Sequence, residues 1–404
     1  MGDFYQTGVL ATFHLYREAE DLARLEQELV RHARQRPIAL IVPALYSEFE
    51  AQALPRIIEE LRSVPYLKRI ILSLDHAERA QFDDARKRLS TLTTPVTVVW
   101  HDGPRLQDLY DQLIAYELPI GEQGKGRSCW MSTGYVLAKG DCEVIAMHDA
   151  DIVTYERSML ARLVYPVTNP TMAYDFAKGY YPRISNRKMH GRATRLLMTP
   201  LVRSLMRIIG HHPYLAYLDS FRYVLAGEVA MVSDLARVVR VPADWGLEVG
   251  TLGEVYRNTS IRRVCQVGLA YQYDHKHREL SPDDPNKGLL KMSIDISKSI
   301  FRTLASEGIT LSAGTFRTLS AAYVRNAEDV IQRFLDDATI NGLMFDRHEE
   351  ETAVETFAKG MQIAADQFLM DPLGVPLIPN WNRIASAIPD FLDRLREAVD
   401  ADNT

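Results

Sequence analysis

Glu143-Val144-Ile145-Ala146-Met147-His148-Asp149-Ala150-Asp151 is the stretch that decides the fold. The apolar run Val144 to Met147 has the length and bounds of a buried central strand. It ends in two aspartates one residue apart. Side chains at i and i+2 of an extended segment point the same way. Asp149 and Asp151 are therefore expected to present two carboxylates together where the strand leaves the sheet. In an open α/β sheet that rim is where ligands bind. Paired hard oxygens suit Mg²⁺ or Mn²⁺, which take further ligands from water and substrate phosphates.

Working outward, Ile38 to Leu45 is an apolar run interrupted by Pro43, followed by Tyr46-Ser47-Glu48. It reads as a first buried strand with a ligand-facing loop. Leu54, Ile57, Ile58 and Leu61 then recur at helical spacing. Arg69 to Asp75 and Pro95 to Trp100 are further strands. Strand, helix, strand, helix, strand is the pattern of a parallel sheet with right-handed crossovers. Between the last of these strands and the aspartates lies Gly121-Glu122-Gln123-Gly124-Lys125-Gly126-Arg127, ahead of a helix expected from Ser128 to Leu137. Its glycines permit close backbone approach, and Lys125 can meet a phosphate charge. The spacing is not that of a Walker loop.

These features, in this order, resemble the GT-A glycosyltransferases, and within them glucosyl-3-phosphoglycerate synthase. That family's P-A-L-N-E is matched by Pro43-Ala44-Leu45-Tyr46-Ser47-Glu48, with Tyr46 and one extra residue where Asn stands. Its G-K-G corresponds to Gly124-Lys125-Gly126 and its D-S-D to Asp149-Ala150-Asp151. A G-R-V-T is matched by Gly191-Arg192-Ala193-Thr194, an S-G-E by Ala226-Gly227-Glu228, and a Y-G-V-E-I-G by Trp245-Gly246-Leu247-Glu248-Val249-Gly250. The last motif, R-A-H-R-N, falls on Tyr273-Asp274-His275-Lys276-His277. Mannosylglycerate synthases share several of these, and Asp244-Trp245-Gly246-Leu247-Glu248 is partly in their style.

The resemblance implies a GT-A nucleotide-sugar-binding α/β fold with a mostly parallel sheet. It implies a retaining, metal-dependent transfer of glucose from UDP-glucose or GDP-glucose to the 2-hydroxyl of 3-phosphoglycerate. The alternatives are a mannosyltransferase acting on glycerate or its phosphate, a nucleotidyltransferase, and a non-catalytic nucleotide-sugar-binding protein. Asp151 and His275 would hold Mg²⁺ or Mn²⁺. Asp149 would contact the ribose or the waters around the ion, and Lys125 the diphosphate. Pro43, Ala44, Leu45, Glu48 and Ser73 would line the nucleoside pocket. Gly191, Arg192, Ala193, Thr194, Trp245, Glu248 and His277 would meet the acceptor, with Glu248, Asp151 and Lys125 the catalytic group. Substitution would occur on one face of the sugar, the departing phosphate taking the acceptor's proton.

Charge supports a small anionic acceptor. From Phe176 to Leu218 there is no Asp or Glu, while Lys178, Arg183, Arg187, Lys188, Arg192, Arg195, Arg203 and Arg207 all fall within it. If Gly191-Arg192-Ala193-Thr194 opens a helix, its free N–H groups, Arg192 and the Thr194 hydroxyl would grip an anion. The net charge of −6 argues against general nucleic-acid binding. With 47% hydrophobic and 25% charged residues, the composition is that of an ordinary globular protein. No membrane span or signal peptide is expected. Cys129, Cys142 and Cys265 are too scattered for a disulfide framework or a zinc site and suit cytoplasmic thiols.

Three regions follow from this reading. Residues 1–36 form an N-terminal helical extension, with a helix from Ala19 to Gln35. Residues 37–285 form the GT-A domain. Residues 286–404 form a helical C-terminal region serving a lid or a homodimer contact. Its helices are expected at Leu289 to Leu304, Phe316 to Leu335, Glu350 to Phe368 and Trp381 to Val399, the last interrupted near Pro389. No chemistry is read there.

Overall fold

The structure is a computed structural model that describes residues 8–16, 22–275 and 279–404. In chain order its strands are β1 (Ala11–Phe13), β2 (Ile38–Leu45), β3 (Leu67–Asp75), β4 (Val96–Trp100), β5 (Val144–Met147), β6 (Phe176–Tyr180), β7 (Ile184–Ser185), β8 (Lys188–Met189), β9 (Val229–Val232) and β10 (Val264–Gly268). The helices are α1 (Leu22–His32), α2 (Ala53–Leu61), α3 (Arg79–Leu89), α4 (Pro104–Ala115), α5 (Lys125–Lys139), α6 (Arg157–Thr168), α7 (Thr199–Ile209), α8 (Pro213–Ser220), α9 (Ser233–Val238), α10 (Leu247–Asn258), α11 (Gly288–Ser306), α12 (Ala313–Ile340), α13 (Arg347–Met370), α14 (Trp381–Ala387) and α15 (Phe391–Asn403).

Eight strands form one sheet in the order β1-β10-β6-β9-β5-β2-β3-β4. Every pairing is parallel except those of β9, which runs antiparallel to both β5 and β6. This is the mostly parallel GT-A arrangement. The apolar runs are continuous because both faces are covered. On β2, Ile38, Leu40 and Val42 pack with α2, α3 and α6. Ala39 and Ile41 point to the opposite face, against α4 and α5. The reversal at β9 matters most for function. Met147 and Lys178 are both register partners of Val229. The segment entering β9 therefore meets the segment leaving β5 at one rim.

The N-terminal region holds more than a helix. Residues 11–13 add the edge strand β1, paired with β10. Three residues are too short to show a period, so the helical reading missed them. The C-terminal helices stand where their periodicity puts them, with Pro389 between α14 and α15. Their apolar faces join the same continuous core as β2, β5, β6 and α5. Asn403 closes the sheet's far edge: its side chain accepts from Val98 N at 2.9 Å and donates to Val98 O at 2.8 Å. That occupies part of the exposed edge of β4.

Trp381 ties this region to the sheet. Its ring stacks on Trp130 of α5 with centroids 4.2 Å apart. A Cβ on Gly134 would lie 2.1 Å from the Trp381 ring, so only glycine admits the indole there. Trp381→Ala removes a fully buried ring and should cost ~3–5 kcal/mol of stability. The measurement is the urea midpoint. An unchanged midpoint would mean that α14 contributes nothing to folding.

Candidate active site

The cleft opens at the rim where β5 ends. Phe176, Lys178, Val229, Met231 and Met147, one face of three adjoining strands, form its floor. Lys125 and Trp130 of α5, Leu247 and Glu248 of α10, and Trp381 form its walls.

The two aspartates do not point together. β5 stops at Met147, and Ala150 and Asp151 lie in a turn. The i, i+2 rule of extended chain therefore no longer applies. Asp149 turns toward Lys125, with Oδ1 2.7 Å from Nζ. Asp151 turns toward His275, with Oδ2 3.5 Å from Nδ1. His275 is brought there by backbone pairing: it bridges Ile152, and Val153 N donates to Asp274 O at 2.9 Å. Burial would raise the Asp151 carboxyl. The hydrogen bond and charge of His275, with Lys125 behind, outweigh this and hold it below the ordinary carboxylate range. Its other oxygen, Oδ1, is buried with no hydrogen-bond partner among the described residues. An orphaned carboxylate oxygen beside an imidazole suits a divalent cation.

A second acidic cluster, Asp75, His76 and Asp102, has ligand atoms within 4.8 Å of one another. Its oxygens are already engaged. Gln123 donates to both carboxylates, at 2.6 and 2.8 Å, and Ser128 Oγ and Ala77 N complete the set. It anchors the loop before α5 to the ends of β3 and β4.

Lys125 is the first residue of α5, so its ammonium adds to the helix's positive end. Nζ also lies 3.4 Å from Glu248 Oε1. Burial alone would lower its pKa, but Asp149 and Glu248 raise it well above the usual lysine value. The cleft thus carries a fixed positive charge between two carboxylates.

Gly227 backs onto this group. A Cβ there would lie 2.5 Å from Asp149 Oδ2. Gly227→Ala must therefore displace Asp149 from Lys125. Turnover should fall by roughly 10²-fold for a shift of about 1 Å, with the circular dichroism unchanged. Steady-state kinetics give the answer, and wild-type kcat/KM would mean that Asp149 need not stay in place. The next residue, Glu228, is fully buried. Its oxygens accept from Tyr273 Oη at 2.7 Å and Tyr181 Oη at 2.5 Å. Burial, then the Asp149 charge, raises its pKa despite those bonds.

Several expected residues lie elsewhere. Ser73 is fully buried, its hydroxyl 2.8 Å from His101 Nε2; it is packed beneath the surface and cannot line an open nucleoside pocket. Pro43 lines the cleft, Ala44 is buried beside it, Leu45 is exposed and Glu48 sits on the following short helical turn. Trp245 is half-buried outside the cleft lining, on the turn before Glu248. His277 falls outside the described residues. Gly191-Arg192-Ala193-Thr194 does open a helix, a π turn over Ala193–Met198 that runs into α7. Arg192 is not open to an anion, however. It pairs with Glu349 and, at 3.1 Å, with Glu350 of α13. Thr194 keeps a buried hydroxyl without a hydrogen-bond partner among the described residues.

The acid-free stretch is not one basic patch. Lys188 and Arg195 join Glu349 and Glu350, Arg203 pairs with Asp219, and Lys178 is buried in the sheet. Glu349 and Glu350 come from distant sequence, whereas Asp219 lies just past the end of the stretch. Sequence reasoning gave no place in the site to Trp381 or Tyr181, read Lys178 only as part of the basic stretch, and met Glu228 and Tyr273 only as motif matches. A lysine inside the apolar run Phe176-Ala177-Lys178-Gly179-Tyr180 was the available signal.

Comparison with known proteins gives the family and the fold. No family-level sequence profile matches the chain. The glucosyl-3-phosphoglycerate synthase of Persephonella marina is 46% identical over 404 residues, all of both chains. The chain belongs to the glucosyl-3-phosphoglycerate synthase family. The synthase of Methanococcoides burtonii is 39% identical over 99% of this chain and 98% of its own. Crystal structures of the Mycobacterium tuberculosis glucosyl-3-phosphoglycerate synthase share the fold. The complex with Mn²⁺, UDP-glucose and phosphoglyceric acid has a TM-score of 0.53 at 22% identity, over 75% of this chain and 89% of that one. The complex with Mg²⁺ and UDP has a TM-score of 0.52 at 21% identity, over the same shares.

Proposed function

We propose that this synthase family member moves glucose from a nucleoside diphosphate-glucose to the 2-hydroxyl of 3-phosphoglycerate, with retention at the anomeric carbon. The observation that carries the reading is the Asp151–His275 pair, with its orphaned carboxylate oxygen, beside the cleft in which Lys125 stands between Asp149 and Glu248. Whole-length identity to a named synthase supports it.

Asp151 and His275 would hold Mg²⁺ or Mn²⁺. A divalent cation there supplies Lewis acidity to the departing diphosphate. Lys125 and the N-terminus of α5 neutralise the same developing charge. Asp149 orients Lys125 and meets the ribose or the waters around the ion. Glu248, at the start of α10, accepts hydrogen bonds from glycerate hydroxyls. Pro43 and the neighbouring loop hold the nucleoside. An acceptor meeting the Gly191–Thr194 loop would need Arg192 released from Glu349 and Glu350, since the Thr194 hydroxyl is buried away from the cleft lining. None of the described side chains lining the cleft is set up as a nucleophile. The family resemblance implies that the departing diphosphate takes the acceptor's proton.

No helix among the described residues is long and apolar enough to cross a membrane. The three cysteines are buried free thiols, which supports action in the cytoplasm.

The test is a substrate panel. UDP-glucose, GDP-glucose and GDP-mannose are each incubated with 3-phosphoglycerate or free glycerate, with Mg²⁺ or Mn²⁺. The expected result is glucosyl-3-phosphoglycerate and nucleoside diphosphate from a glucose donor. Faster mannosyl transfer, or release of pyrophosphate, would overturn the reading.

A further inference from the structure

Lys178 carries a cost that its visible partner does not explain. It lies on β6 and is 1% exposed. Burying an ammonium is expensive unless it is paired. Yet no described carboxylate lies within ion-pair distance of Nζ, and its one hydrogen bond among the described residues is donated to the Ala226 carbonyl at 2.6 Å. A backbone carbonyl needs no charge to satisfy it; a neutral donor or a water would do. An ammonium has three N–H donors. Two remain, on a side chain that lines the cleft together with Lys125, Asp149, Gly227 and Glu248.

The position is set by the sheet. Lys178, Val229 and Met147 form one row across β6, β9 and β5. Lys178 thus faces the same cleft as the aspartate that follows β5, on its inner side. Most of the remaining inner lining is apolar, from Phe176, Val229, Met231 and Val239, with the Trp381 Nε1–H and the Thr133 and Thr251 hydroxyls as its uncharged polar groups. A hexose entering past Asp149 would find one charged donor on that inner side, since Lys125 is already set between Asp149 and Glu248. Sugar hydroxyls need both donors and acceptors, and Asp149 and Glu248 supply acceptors only.

We propose that Lys178 is a specificity-determining residue for the donor sugar, its ammonium donating to one hydroxyl of the hexose in the cleft while it holds Ala226 in place. The inference rests on the functional reading above. Burial lowers the Lys178 pKa to about 8, against the opposing charges of Glu248, Glu228 and Asp149 and with that of Lys125. The side chain is therefore still an ammonium at neutral pH. Charge-assisted hydrogen bonds are the strong ones, and a site built to bond a hydroxyl rejects the analogue lacking it.

The experiment compares wild type and Lys178→Met with the nucleoside diphosphate-glucose that wild type turns over, and with its 2-, 3-, 4- and 6-deoxy derivatives. Binding of the nucleoside diphosphate with Mn²⁺ is measured by calorimetry alongside. Lys178→Met should lower kcat/KM for the parent donor roughly 10- to 100-fold. One deoxy donor that wild type handles poorly should become equal to the parent for the variant, the other ratios staying as in wild type. Nucleoside diphosphate binding should be unchanged. If Lys178→Met does not fold, Lys178→Gln, whose amide can still donate to Ala226, carries the same comparison. Unaltered ratios for all four deoxy donors would overturn the inference. So would nucleoside diphosphate binding that falls in step with transfer, which would leave Lys178 a support for the loop. A wild type that transfers no hexose at all would instead bring down the functional reading, and the inference with it.

Discussion

Replacing Asp151 with alanine is expected to lower glucosyl transfer by roughly 10³-fold or more, since Lewis-acid stabilisation of a departing oxyanion is worth several kcal/mol. The loss should appear in kcat, because the charge it answers develops as the bond breaks. Wild type stripped with a chelator should behave like the variant, and added Mg²⁺ or Mn²⁺ should restore only the wild type. His275→Ala should follow the same pattern less completely, since the carboxylate would remain. The fold should survive in Asp151→Ala. Oδ1 has no hydrogen-bond partner among the described residues, so its loss strands no donor, and His275 Nδ1, which loses Oδ2, is on a part-exposed side chain that water can reach. Release of nucleoside diphosphate, assayed in verified metal-free buffer and after metal addition, decides the matter. Full activity without metal, in either protein, would refute the assignment.

The sheet was legible where strands are apolar on both faces. Ile38 to Leu45 and Val144 to Met147 are such runs, and parallel pairing between helices follows from their order. β9 was less so: four residues cannot announce that they run against their neighbours. That reversal is what sets Gly227 against Asp149 and Lys178 in the cleft. Resemblance paired Asp151 with His275, and the two side chains do lie 3.5 Å apart; the course of the chain around them was not legible. The spacing of Asp149 and Asp151 suggests convergence, but the turn after Met147 separates them, and each finds its partner far along the chain. Arg192 shows the same limit more sharply. Its charge and loop were visible, whereas Glu349 and Glu350, which hold it, lie in a region where no chemistry could be read. Local sequence reports which charges exist. It does not report which are already spoken for by tertiary contacts.

Lys125→Met should show the second-largest effect, because one ammonium serves two purposes. It answers the negative charge of the donor diphosphate, and it separates Asp149 from Glu248, at 2.7 and 3.4 Å from its Nζ. Without it, two carboxylates and an incoming diphosphate would share a cleft with less positive charge to oppose them. Like charges held close destabilise one another, and a partner removed from a partly buried pair leaves the other uncompensated. Both substrate binding and the transition state should suffer. We expect kcat/KM for the donor to fall roughly 10²- to 10³-fold, about 3–4 kcal/mol, as when one preorganised electrostatic group is removed. Lys125→Arg should recover only part of this, since a planar guanidinium cannot stand as a point charge between the two carboxylates. The pH profile adds a separate check. The Lys125 pKa is raised well above the usual lysine value by Asp149 and Glu248, which outweigh burial. Its charge is therefore present at and below the ordinary lysine range and is lost only as the pH rises through that higher value. Wild-type activity between pH 6 and pH 9 should owe no fall to Lys125, so the ratio of wild-type to Lys125→Met activity should stay constant there. A ratio that collapses as the pH rises through neutrality would show a lysine that loses its proton early. A Lys125→Met enzyme with wild-type donor kcat/KM would remove Lys125 from the mechanism altogether.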